Sequence, residues 1–220
     1  MLQSRYLMEF SEFIKYIPKI LNQQLPASQA HLKMAPEGRP ASMAPEYYNK
    51  LHPRQSAILM LFYPKHGKAH LVLIKRNTYP GVHSSQISFP GGKAEPEDTD
   101  LAQTAIRETY EEIGVLPEEI DVVMPFSEIY IPPSNFLVFP YLGVSESELS
   151  FKPNKDEVDA IIELPLEVFL DDSIIISAPM QTSYAQSMMV PAFKFEDHIV
   201  WGATAMIMSE LKETIKTALK

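Results

Sequence analysis

The chain has 220 residues, 45% of them hydrophobic and 21% charged, which favours one well-buried domain with an extension over two full domains. A formal net charge of −9 argues against a general nucleic-acid binder, and no stretch approaches the ~18–20 apolar residues of a membrane helix. The absence of cysteine removes disulfides, thiolate zinc sites and cysteine nucleophiles, so any metal must be held by oxygen or histidine.

The start, MLQSRYLMEF, carries charge where a secretory signal would be apolar, and a cytoplasmic location is the expectation. Phe10, Phe13, Ile14, Ile17, Ile20 and Leu21 recur at helical spacing and predict an amphipathic helix over roughly 7–22. From 23 to 53 the chain is rich in proline, alanine and polar residues without a period, which reads as an irregular segment wrapping the main domain. The expected division is 1–54, an N-terminal helix and irregular extension, and 55–220, the main domain.

Ala57 to Tyr63 and His70 to Ile74 flank a glycine-containing turn and predict a hairpin. Further strands are expected at Ile87 to Phe89, Val122 to Ile131, Leu137 to Val144, Ala160 to Leu164 and Met188 to Phe195. Helices are expected at about Asp100 to Ile113, Leu166 to Leu170 and Ala203 to Leu219. Interleaved strands with few long helices point to an α/β fold with a mixed sheet flanked by helices.

The most informative segment runs from Phe89 through Gly91 and Gly92 into an acidic helix start at Asp98-Thr99-Asp100, each a competent N-cap, and ends at Gly114. At about 100° per residue, Ala102, Ala105, Ile106, Thr109 and Ile113 share the face expected to pack on the sheet. Glu108, Glu111 and Glu112 fall together on its flank. Glu108 and Glu112 are a like-charged i, i+4 pair, which costs helix stability unless something positive compensates. Oxygen-only ligands at this spacing describe a site for a hard cation, Mg2+ or Mn2+. A solvated face is the default for a glutamate-rich helix, yet it leaves the double glycine and Arg107 unexplained.

The stretch Gly92 to Val115 resembles the Nudix box: glycine, five residues, glutamate, seven residues, Arg-Glu, an apolar residue, any residue, Glu-Glu, any residue, glycine, an apolar residue. Arg107-Glu108-Thr109-Tyr110-Glu111-Glu112-Ile113-Gly114-Val115 fits the second half. In the first half, Asp98 occupies the glutamate position and eight residues separate it from Arg107. The resemblance implies a Nudix-type α/β/α sandwich with a mixed sheet plus the N-terminal helical extension. It also implies cleavage of a diphosphate by metal-assisted attack of water. Glu108, Glu111 and Glu112 would bind the metal, with the Gly91 carbonyl completing the shell. Arg107 would orient the glutamates and pair with Asp98.

A second resemblance, to the coenzyme A pyrophosphatase branch, covers the chain from about residue 30 onward. It rests on Lys75-Arg76, His83, Gln86 to Gly92, Glu157 to Leu166 and Trp201 to Ala205, with Ala30-His31 and Met34-Ala35-Pro36 upstream. Gly81 and Ser85 stand where that branch has a loop arginine and glycine. The resemblance implies coenzyme A or acyl-coenzyme A as the small-molecule substrate, cut to 3′,5′-ADP and a 4′-phosphopantetheine. Arg76, His83 and Lys93 are candidate substrate contacts. Glu157, before a strand, is a candidate for the distant acid that joins the metals or deprotonates water. The alternatives are an NADH or ADP-ribose pyrophosphatase and a non-enzymatic nucleotide-binding module; the three intact box glutamates weigh against the last. No nucleic-acid or membrane partner is expected, and a homodimer is compatible with the sequence.

Overall fold

The computed structural model describes residues 8–39, 43–77, 86–180 and 188–220. Its centre is a mixed sheet built on the hairpin of β1 (Arg54–Lys65) and β2 (Lys68–Arg76), joined by a tight turn at His66-Gly67. The remaining strands of this sheet are β3 (Ile87–Ser88), β4 (Gly91–Lys93), β5 (Asp121–Pro125), β6 (Ile129–Ile131), β7 (Phe136–Val144) and β8 (Val158–Pro165). β1 and β7 run parallel and the other pairings are antiparallel, so the expected mixed sheet is present.

One feature of the register positions the site. β1 pairs with β2 only over Phe62 to Lys65, and nearer its start, at Ser56 to Ile58, it pairs with β4. β2 in turn pairs with β3 at Ile74 and Lys75. The two long strands therefore diverge, and the segment carrying the double glycine fills the gap.

Both faces of β1 and β2 are buried, giving near-continuous apolar runs. Ala57, Leu59, Leu61, Val72 and Ile74 face α5 (Leu101–Ile113) and meet Ala105 and Ile113. Met60, Phe62, Leu71 and Leu73 face the opposite way, into a larger core with α7 (Gly202–Ala218). α7 is fed by a separate three-stranded sheet of β9 (Ile175–Met180), β10 (Met188–Phe195) and β11 (His198–Trp201); the short α6 (Leu166–Leu170) follows β8. The result is the expected α/β/α sandwich. No helix among the described residues is long and apolar enough to cross a membrane.

The N-terminal extension departs from expectation. Instead of one helix there are two short ones, α1 (Phe10–Ile14) and α2 (Ile17–Leu21). Pro18 lies in the first turn of α2, where its missing N–H is harmless; inside one continuous helix it would break a hydrogen bond. Phe10, Phe13 and Ile20 are buried, whereas Leu21 is exposed. The segment expected to be irregular contains α3 (Ser28–Lys33) and α4 (Pro45–Tyr48). The extension packs on its own chain, α2 and α3 against α7.

Its anchor is Glu210, fully buried on α7. The carboxylate accepts from the Ala27 N–H (3.0 Å), the Ser127 N–H (3.2 Å) and the Ser127 hydroxyl (2.6 Å), and faces His31 Nε2 at 3.2 Å. Ala27 holds φ 45°, ψ −127° to present its N–H, a region costly for a residue with a Cβ. The same carboxylate explains why the single strand expected over Val122 to Ile131 is two: the Ser127 N–H bonds Glu210 rather than a neighbouring strand.

Candidate active site

α5 begins at Asp100, whose side-chain Oδ1 accepts from the Gln103 N–H at 2.8 Å, and ends at Gly114. Its buried residues are Thr104, Ala105, Thr109, Glu112 and Ile113. This corrects the expected face: Ala102 and Ile106 are only partly buried, and Glu112 points inward instead of lying on the flank. At 1% exposure Glu112 is the most enclosed of the box glutamates; one oxygen accepts from the Gly91 N–H at 2.9 Å and the other faces Arg76 Nη1 at 3.3 Å.

The two glycines make this approach possible. A Cβ on Gly91, which holds φ 148°, would fall 2.3 Å from the Ala57 carbonyl oxygen. A Cβ on Gly92 would fall 2.3 Å from Glu108 Oε2. The carboxylate of Glu108 thus rests directly on backbone in the gap between β1 and β2.

Arg107 organises the other side. Its Nε and Nη2 donate to Asp98 Oδ1 and Oδ2 at 2.8 and 3.0 Å, Nη2 also donates to the Lys93 carbonyl at 3.0 Å, and Nη1 reaches Glu108 at 3.0 Å and Glu111 at 3.2 Å. Asp98 accepts further bonds from the Thr104 hydroxyl at 2.7 Å and the Glu95 N–H at 2.9 Å. The Arg107 guanidinium, with these donors, holds the Asp98 carboxyl well below the usual carboxylate range. Thr104 was not singled out in the sequence; its spacing from Asp98 carries no pattern that marks it.

Burial pushes Glu112 up from 4.5 to about 7; the Gly91 N–H and Arg76 oppose this, and Glu108 and Glu157 reinforce it. Glu108 is also raised, first by burial, with Glu111 and Glu157 adding to the shift. The charge of Glu157, in the turn before β8, therefore reaches Glu108 and Glu112 on α5. Glu111 is about half exposed and turned toward Arg107. Among the described residues, no three acidic or histidine side chains are gathered tightly enough to hold a metal ion as placed. Arg107 draws Glu108 and Glu111 to itself, and Arg76 caps Glu112. The donor set nevertheless fits a hard divalent cation: all ligating atoms are oxygens, and mutually repelling carboxylates surround a buried one.

The other candidates divide. Arg76 lies in the cluster. The Lys93 side chain is exposed, and its carbonyl helps hold Arg107. Lys75 is paired with Asp159 at 2.6 Å. His83, with Gly81 and Ser85, lies outside the described residues.

Comparison with known proteins identifies the family. The NUDIX domain model matches residues 53–180, more than half of the chain. The chain is 34% identical over 167 residues to Nudix hydrolase 15, mitochondrial, of Arabidopsis thaliana, covering 73% of this chain and 58% of that protein. It is 32% identical over 160 residues to the mitochondrial coenzyme A diphosphatase NUDT8 of Homo sapiens, covering 72% and 68% respectively. The matches to the Arabidopsis relatives span less than two thirds of those proteins' length. Among solved structures, the Nudix hydrolase RenU of M. smegmatis shares the fold, with a TM-score of 0.51, 17% identity and coverage of 75% of this chain and 87% of that one. With its box on α5 and its double glycine in the seam of a mixed sheet, this chain belongs to the Nudix family.

Proposed function

We propose that the protein is a divalent-cation-dependent pyrophosphohydrolase that cuts coenzyme A or acyl-coenzyme A to 3′,5′-ADP and a 4′-phosphopantetheine. The observation that carries the reaction class is the packing of Glu108 and Glu112 against Gly91 and Gly92, within reach of the charge of Glu157. In this reading Glu108, Glu111 and Glu112, with the Gly91 carbonyl, hold Mg2+ or Mn2+. The ion supplies charge neutralisation on the diphosphate and a lowered pKa for water. Glu157 accepts the proton of the attacking water, and Arg107 fixes Glu108 and Glu111 in place. Arg76, Lys93 and His83 orient the substrate phosphates, Arg76 through its fork of donors. Phosphoryl transfer of this kind is mainly positioning and charge stabilisation, so no covalent nucleophile is needed.

The choice of coenzyme A draws support from relatives named coenzyme A diphosphatases in Homo sapiens and Mus musculus. A cytoplasmic location belongs to the same proposal, on the cysteine-free sequence; relatives named mitochondrial and peroxisomal make cell fractionation the deciding measurement. The test of substrate is kcat/KM over coenzyme A, acyl-coenzyme A, dephospho-coenzyme A, NADH and ADP-ribose with Mg2+ or Mn2+. Coenzyme A is expected to lead, and with Gly81 in place of the loop arginine its margin over dephospho-coenzyme A is expected to be roughly tenfold, about 1.4 kcal/mol. A higher value for NADH or ADP-ribose would overturn the coenzyme A assignment and leave the Nudix chemistry standing.

A further inference from the structure

Two arginines serve the acidic cluster, and they are held very differently. Arg107 makes five hydrogen bonds, two of them the paired fork on Asp98, and only 19% of its side chain is exposed. Arg76, at the end of β2, meets Glu112 through one long contact of 3.3 Å, with 27% of its side chain exposed. Charge-assisted bonds are ordinarily 2.7–2.9 Å, so the Arg76 contact is at the weak end, whereas the Arg107 fork lies close to the strong range. Glu112 has more need of a cation than Arg76 has of it: the carboxylate is buried, and among the described residues Arg76 is the one cation in contact with it.

We infer that Arg76 is an exchangeable counterion, neutralising Glu112 until a divalent cation takes its place and then turning to a phosphate oxygen of the substrate. This rests on the metal and diphosphate reading above and deepens it. A dication and a guanidinium compete for the same carboxylate, and the dication brings the larger charge. The displaced side chain is a planar fork suited to two phosphate oxygens, on a stem flexible enough to swing. Cation and substrate then bind with positive coupling, because the cation both cancels the repulsion of Glu108, Glu112 and Glu157 and frees the arginine. Arg107 keeps its Nε and Nη2 on Asp98 through the exchange, and only its Nη1 contacts to Glu108 and Glu111 yield to the cation.

The test uses the full chain and binding measurements that need no turnover. Mn2+ affinity is measured by calorimetry without substrate for the wild type, Arg76→Ala, Arg76→Lys and Lys75→Ala. The side-chain Nε–H signals of Arg76 and Arg107 are followed by NMR as Mg2+ is added, and then methylenediphosphonate as a non-hydrolysable diphosphate. Arg76→Ala is expected to tighten Mn2+ binding roughly tenfold, Arg76→Lys to stay near wild type, and Lys75→Ala, which removes a neighbouring charge already paired with Asp159, to change it less than about twofold. In the wild type, Mg2+ is expected to move the Arg76 signal and leave that of Arg107, and methylenediphosphonate to move the Arg76 signal again. Cation binding with Arg76 unmoved, or with unchanged affinity in a folded Arg76→Ala, overturns the exchange and leaves the metal site standing. A wild type that binds no divalent cation overturns both. Should Arg76→Ala not fold, the wild-type NMR titration decides alone.

Discussion

Asp98 and Arg107 meet as a two-pronged pair at 2.8 and 3.0 Å, and the carboxylate is the shorter of the two acids, set in a turn one residue longer than the Nudix pattern allows. The acid is one methylene shorter than the usual glutamate and stands one residue further from the arginine, and the two-pronged pair forms all the same. Four hydrogen bonds saturate the carboxylate, Thr104 and Glu95 supplying the two that Arg107 does not. Arg107→Ala is expected to lower stability by about 3 kcal/mol and to reduce turnover, because Glu108 and Glu111 lose their common support. Thr104→Val should reduce turnover more mildly, and Asp98→Glu, despite matching the usual box residue, should impair both. Melting temperature and kcat measured on the three variants check this; a silent Asp98→Glu would show that the turn adapts freely.

Glu112 gives the metal-free protein a pH signature. Its folded value is raised, so its contribution to stability is fully present below the ordinary 4.5 and is lost as pH rises through about 7. Glu112→Gln removes that loss, and the metal-free variant is expected to be more stable than wild type at pH 8 by roughly 1–3 kcal/mol. At pH 4 the two should be alike. Mg2+ is expected to raise the melting temperature of the wild type at pH 8 and to do so weakly in the variant, whose turnover falls by orders of magnitude. Chemical denaturation at the two pH values, with and without Mg2+, reads all of this.

Gly92→Ala tests the seat of Glu108 directly. The added methyl would stand 2.3 Å from a carboxylate oxygen, and the flexible side chain is what must yield. A folded protein with turnover reduced at least about a hundredfold, of the order of 2.7 kcal/mol in transition-state stabilisation, is expected. Metal titration of the variant should show weakened binding; unaltered binding and rate would remove Glu108 from the site.

The extension offers a prediction away from the chemistry. Glu210→Ala leaves the donors of Ala27 and Ser127 without their acceptor in a buried place and should cost roughly 3 kcal/mol or more. Limited proteolysis is expected to cut the variant between α2 and α3 well before wild type. Equal cleavage rates would mean that packing of the helices, not the carboxylate, holds the extension.

The chemistry-bearing part was legible because few residues can do it. A double glycine followed by spaced arginine and glutamates points to the Nudix family, which the match over residues 53–180 bears out, and the helix limits follow from Asp100 and Gly114. The strands of the diverging hairpin were equally visible, since burial on both faces writes long apolar runs. What escaped is set by contacts distant in sequence. β4 is three residues long and two of them are glycine, so only its partner β1 makes it a strand. The split between β5 and β6 depends on Glu210, more than eighty residues later. The rotation of α5 that buries Glu112 and leaves Ala102 partly open ran against hydrophobicity, because Gly91 supplies a backbone donor for the carboxylate that no periodicity can register.

The seam between β1 and β2 bears on how such an enzyme can change. The floor of the site is peptide backbone, with Gly91 and Gly92 admitting no side chain, so almost nothing there can be varied without disturbing Glu108 or Glu112. New specificity must then come from the margin, the end of β2 with Arg76, outside the α5 helix that carries the box. A laboratory selection for a new diphosphate substrate should therefore accumulate its substitutions around the end of β2, while the seam and the turn carrying Glu157 stay as they are.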